Sequence, residues 1–100
     1  MSDLADVQID EKIKITRKEP GKFKVVMLND DTTPMDWVIE ILITIFKHST
    51  ETARDLTLQI HNDGSAVVGI YSYEIAEQKA VETINASRDR GFPLTVKVEE

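Results

Sequence analysis

The chain has no cysteine among its 100 residues, only four glycines, three prolines and two histidines. Without cysteine there are no disulfides, no thiolate metal ligands and no cysteine nucleophile. Its glycines form no Gly-rich phosphate loop. The two imidazoles, His48 and His61, stand thirteen residues apart and make neither HExxH nor any other metal-binding spacing. Positive charge is scarce as well, with 12 basic against 18 acidic side chains and a net charge of −6. Residues 1–21 carry four basic and five acidic groups, and residues 22–100 carry eight and thirteen. Neither part offers a general phosphate-binding surface, so no nucleic-acid partner is expected. The balance favours a positively charged ligand instead. No apolar run reaches the ~18 residues of a membrane span, and the N-terminus shows no basic and apolar regions of a secretory signal. These absences, with 41% hydrophobic and 30% charged residues, lead to the expectation of one globular cytoplasmic domain with no membrane association.

What is present divides the chain in two. Residues 1–21 are polar and end in "RKEPGK", where Pro20-Gly21 reads as a boundary. They are expected to form a mobile tail, with Ile9, Ile13 and Ile15 the only candidates for a short edge strand. Residues 22–100 form the domain. "FKVVMLN" has the β-branched, apolar content of a strand. Residues 34–48 have helical periodicity, with Met35, Val38, Leu42 and Ile45 on one stripe widened by Ile41 and Phe46. Trp37, Ile39 and Ile43 fall off that stripe, so this helix is either sandwiched or lines a groove open to a partner. Ser49 caps a second helix, with Ala53, Leu56 and Ile60 on its stripe and Asp63-Gly64 at its end. "SAVVGIYS" is a second strand, residues 73–90 behind Ser72 a third helix, and "LTVKV" a third strand. The order βααβαβ predicts an α+β fold, a small α/β sandwich. Its three-stranded, mostly antiparallel sheet packs against three helices.

Between the first strand and the first helix stands "NDDTTP". Thr33 suits an N-cap, Pro34 the first helical position, and Asp36 the acid of a capping box. That leaves Asn29, Asp30 and Asp31 together without a required structural role. One reading is a plain turn. The other brings His61 across to it, so that the Asn29 amide oxygen, the Asp30 carboxylate and a neutral imidazole nitrogen converge. Three acceptors with one negative charge match a primary ammonium, which has three donors and one positive charge.

At this point the sequence resembles the ClpS family, bacterial adaptors that recognise N-degrons, the N-terminal residues that mark proteins for degradation, on behalf of a Clp protease. The resemblance runs over essentially all of 22–100. It is strongest in "KVVMLNDDTTPM", "IHNDGSAVVGIYSYEIAEQKA" and "GFPLTV". It implies an α/β sandwich of the order read above and a binding function without catalysis or cofactor. By residue-to-residue matching, the α-amino group of the substrate falls to Asn29, Asp30 and His61. The apolar pocket for a first residue Leu, Phe, Tyr or Trp falls to Thr33, Met35, Val38, Thr57, Ile60 and Leu94. Contact with the AAA+ unfoldase, ClpA or ClpC, falls to Glu74 and Lys79, and to Thr32. Two positions depart from the family's usual residues. Thr57 stands where Met is common, which predicts a roomier or reshaped pocket. Thr32 stands where many members have Tyr, which puts the unfoldase contact in doubt. Met35 matches the family's gate against β-branched first residues. A monomer is expected.

Two rival readings remain at this stage. One is a general protein-interaction domain with a structural NDD turn, indifferent to its target's N-terminus. The other is a metal-dependent hydrolase built on Asp30, Asp31 and His61, although no further ligands are evident and Ser49 and Ser72 are better explained as caps than as nucleophiles.

Overall fold

The β-branched run after Gly21 becomes the middle strand of a sheet. In the computed structural model, which describes residues 22–100, β1 (Phe23–Leu28) pairs antiparallel with β2 (Ser65–Tyr71) on one side and β3 (Thr95–Glu99) on the other. The strand order is β2-β1-β3. Three helices complete the described residues: α1 (Met35–Thr44), α2 (Thr50–Asp63) and α3 (Tyr73–Asp89). The expected βααβαβ order and antiparallel sheet are both present. The expected tail, including Ile9, Ile13 and Ile15, lies outside the described residues. Val25 and Met27 of β1 are wholly buried and join α1, α2 and α3 in one core. The α3 helix lies against all three strands, while α2 packs on β2 and α1. At the end of β1, Leu28 faces both Ser65 and Thr95. The first turn after β1 therefore opens beside the start of β2 and the segment leading into β3.

Helix ends follow local chemistry with two exceptions. The Ser49 side chain accepts the Thr52 N–H at 3.1 Å, and Gly64 closes α2 at φ 92°, a left-handed conformation that favours glycine. Gly91 does the same for α3 at φ 83°. There the Gly91 N–H donates to the Arg88 carbonyl at 2.9 Å and the Phe92 N–H to that of Ser87 at 2.8 Å, the paired bonds of a Schellman closure. The first exception is Ser72, which occupies the cap position of α3 but makes no side-chain capping bond.

The second is α1. Thr33 is not its cap: Pro34 holds that position, and the Thr33 hydroxyl donates elsewhere, to Asp30. The helix also stops at Thr44 rather than near residue 48, because the chain turns at Lys47, which takes a left-handed φ of 62°. No basic residue stands in the last turn of α1. The missing positive charge arrives from α3, where Lys79 Nζ donates to the Ile45 carbonyl at 2.8 Å. The Tyr71 ring lies 5.4 Å from the same ammonium.

The apolar excess of α1 is used on more than one side. Val38, Ile41 and Leu42 enter the core. Trp37 is buried on a second side, where its Nε1–H donates to Ser87 Oγ at 2.9 Å. The Phe92 ring is 5.8 Å from the indole, and the Arg90 guanidinium covers it at 4.7 Å. His48 also plays a structural part. Its Nε2 lies 2.6 Å from the Val68 carbonyl, which only accepts, so that nitrogen carries the proton.

Ser49→Ala should cost about 1 kcal/mol of folding free energy, the usual worth of a working N-cap. Ser72→Ala should cost clearly less, because its hydroxyl makes no such bond. Urea titration of the two variants checks the difference.

Candidate functional site

The turn after β1 is built around one carboxylate. Asp30 Oδ1 accepts the N–H groups of Thr32 and Thr33 at 2.8 and 2.7 Å, and Oδ2 accepts the Thr33 hydroxyl at 2.7 Å. A carboxylate offers about four lone-pair sites, so about one remains. Partial burial pushes the Asp30 carboxyl up. The Thr33 hydroxyl and the N–H groups of Thr33 and Thr32 together more than reverse this, and its pKa lies below the ordinary 3.8. The turn reading of Asp30 is thus correct as far as it goes. It leaves a charged oxygen with spare capacity at the surface.

A second bond brings this turn to α2. The Asn29 N–H donates to the Gly64 carbonyl at 2.9 Å. Gly64 is the C-cap of the helix that carries His61 in its last turn. The left-handed glycine and the strand end are therefore joined directly, and Asn29, Asp30 and His61 line a single hollow. Its other walls are Thr33 from the turn, Met35 and Val38 from α1, Thr57 and Ile60 from α2, and Leu94 just before β3. All nine residues expected at the amino-group site and the apolar pocket line this hollow. Leu28 lines it too; it was missed because it reads simply as the end of a strand. Asp31 is exposed and is not part of the lining.

The hollow is a partly open cleft, not a sealed cavity. Val38, Thr57, Ile60 and Leu94 are buried, while Met35 is 39% exposed. Thr57 presents no free hydroxyl, because its Oγ1 donates back to the Ala53 carbonyl at 2.8 Å.

The expected unfoldase-contact residues lie elsewhere. Glu74 and Lys79 are on α3, Glu74 exposed and Lys79 half-buried through its bond to Ile45. Thr32 sits in the turn, with its N–H on Asp30. For the metal-hydrolase reading, three of the Asp30 lone pairs are already committed, and no group of three or more His, Asp or Glu able to hold a metal ion occurs among the described residues. None of the helices among those residues is long and apolar enough to cross a membrane.

The site is a mostly apolar hollow that also gathers Asn29, Asp30 and His61, on a small α+β sandwich. The family pattern of the ATP-dependent Clp protease adaptor protein ClpS matches residues 18–97. The chain is 50% identical over 97 residues to the Clp protease adapter ClpS of Campylobacter jejuni subsp. jejuni, covering 97% of this chain and 99% of that one. It is 46% identical over 82 residues to the ClpS of Treponema denticola, covering 82% and 81%. Among solved structures it is similar to Agrobacterium tumefaciens ClpS2 bound to L-phenylalaninamide. That match has a TM-score of 0.77 at 40% identity and covers 81% of this chain and 98% of that chain. The chain belongs to the ClpS family, whose members are adaptors of the ATP-dependent Clp protease and not enzymes.

The Asp30 bonds set a pH signature for stability. Its folded pKa lies below the unfolded value of 3.8. The stabilisation is therefore complete well above 3.8 and is lost as pH falls through the lower folded value. In urea titrations, the stability gap between the native chain and Asp30→Asn should be constant near neutrality and narrow only below about pH 4. Thr33→Val should raise the Asp30 pKa, as read from carboxyl chemical shifts.

Proposed function

We propose that this adaptor binds proteins through a free N-terminal Leu, Phe, Tyr or Trp and delivers them to a AAA+ Clp unfoldase, ClpA or ClpC, for degradation. The observation that carries this reading is the shared hollow. Asn29, Asp30 and His61 supply acceptors at its rim, and Met35, Val38, Thr57, Ile60 and Leu94 supply apolar walls. The ligand in the Agrobacterium ClpS2 structure, L-phenylalaninamide, has a free α-ammonium and an apolar side chain, as does the first residue of a protein. Binding needs both halves. Burying an apolar side chain contributes about 1.5–3 kcal/mol. Each charge-assisted hydrogen bond to the ammonium adds about 1.5–3 kcal/mol. Loss of translational and rotational freedom opposes association by at least about 4 kcal/mol, so neither half alone gives useful affinity. Acetylation removes the charge and the donors that these acceptors would meet.

In this reading the adaptor acts as a cytoplasmic monomer, and α3 presents Glu74 and Lys79, with Thr32 nearer the pocket, to the N-terminal domain of the unfoldase. Lys79 then acts twice, since its ammonium already caps α1 through the Ile45 carbonyl. The tail, residues 1–21, takes part in the hand-over. Met35, the half-exposed wall, acts as the gate against β-branched first residues.

Fluorescent peptides test the reading. Peptides beginning with free Leu or Phe should bind. The same peptides acetylated, or beginning with Val, should not, and Asp30→Ala should abolish binding. Equal binding to all, or to none, would replace this reading with that of a general interaction domain. Thr57→Met should reorder Leu against Phe, as a methylene-sized misfit is worth about 1–3 kcal/mol.

A further inference from the structure

A protein held by its first residue must continue out of the hollow, whereas L-phenylalaninamide ends at that residue. The lining of the hollow shows one way out. Leu28, at the end of β1, borders the hollow and also an open groove on the sheet. The two depressions therefore meet at one residue.

That groove lies on the sheet face turned away from the core. Val25 and Met27 of β1, Ala66 and Val68 of β2 and Val96 of β3 point inward. Side chains alternate along a strand, so Val26 points the other way and does not join the core, although little of it is exposed. Val26 stands opposite Val67 on β2 and Lys97 on β3, and directly opposed side chains share a face. Val67 is 41% exposed. Gln59 of α2 also borders the groove, as do Lys97 and Glu99. Lys97 and Glu99 pair with each other at 3.5 Å. The floor is apolar and the charges beside it balance.

From Leu28 to Val26 is two residues of strand, about 7 Å. An extended peptide covers that distance in two residues of its own. With its first residue in the hollow beside Leu28, it brings its third or fourth residue over Val26 and Val67.

We propose that this groove is a downstream subsite, which takes the third or fourth residue of the bound protein in extended form and favours an apolar side chain there. This rests on the hollow being the pocket for an N-terminal residue. The occupant is the substrate's own chain, because the groove continues the hollow at Leu28. An apolar side chain laid on Val26 and Val67 leaves water. A carboxylate laid there gives up water and meets a lysine that Glu99 already engages.

The test is fluorescence anisotropy on the full chain, with C-terminally labelled Leu-Gly-Gly-Gly-Gly peptides in which a single Val is moved from position 2 to position 5. Val at position 3 or 4 should tighten binding about threefold to fivefold, as partial burial of its side chain allows. Val at position 2 or 5 should do less, and Asp at the favoured position should give no gain. Val67→Lys should remove the gain. Val81→Lys, a comparably exposed change on α3, should keep it. In NMR titrations, the amide signals of Val26, Val67 and Lys97 should move with the favoured Val peptide and not with L-leucinamide. Equal affinity wherever Val stands, or a gain that survives Val67→Lys, would overturn the subsite, and continued binding of the all-Gly Leu peptide would leave the pocket standing. Signals that move with protein concentration and not with peptide would assign the face to a second copy of the chain, and overturn it too. Absence of binding by every free Leu peptide would overturn the pocket itself and the subsite with it.

Discussion

The Asp30 carboxylate is the constraint on which the rest of the site depends. Three hydrogen bonds from Thr32 and Thr33 commit most of its accepting capacity to the turn between β1 and α1. Those bonds fix the direction in which α1 departs, and hence where Met35 and Val38 stand. They also hold the carboxyl in its charged form, because together they outweigh the effect of its partial burial. One side chain thus shapes the apolar pocket and supplies charge to its rim. The negative charge at the site and the rigidity of its turn have the same source.

Around that turn, α1 is secured at both ends and on its far side by other parts of the chain. Lys79 of α3 meets its C-terminal carbonyls, and Ser87 of α3 holds Trp37. Helix α3 is the longest element and lies against every strand, so fastening α1 to it fastens the pocket wall to the body of the domain. The Asn29–Gly64 bond does the corresponding work for α2 and His61. A pocket made of three separate segments can have a definite shape only if each is tied to the same scaffold.

The elements were readable because their signals are local. Alternating and β-branched apolar runs gave the strands, and Gly64 and Gly91 ended the helices as left-handed caps. Where a residue had two possible partners, local rules misled. Thr33 has the spacing of a capping box, but its hydroxyl donates to Asp30 and Pro34 takes the cap position of α1. The periodicity of α1 continues through Phe46, yet the helix stops at Thr44 and the chain turns at Lys47 with a left-handed φ of 62°. Phe46 is still buried, from outside the helix.

The sequence by itself determined the order of elements, the acidic balance, the absence of thiol chemistry and the types of residue able to receive an ammonium. Each of these is a property of composition or of neighbours in the chain. Only the tertiary structure decided that Asn29, Asp30 and His61 share one hollow with Leu94, and that Thr57 turns its hydroxyl back into its own helix. It also showed that Ser87 bonds both Trp37 of α1 and Phe92. These facts depend on distances between segments separated by tens of residues, and no local pattern encodes such distances until packing and hydrogen bonding have fixed them.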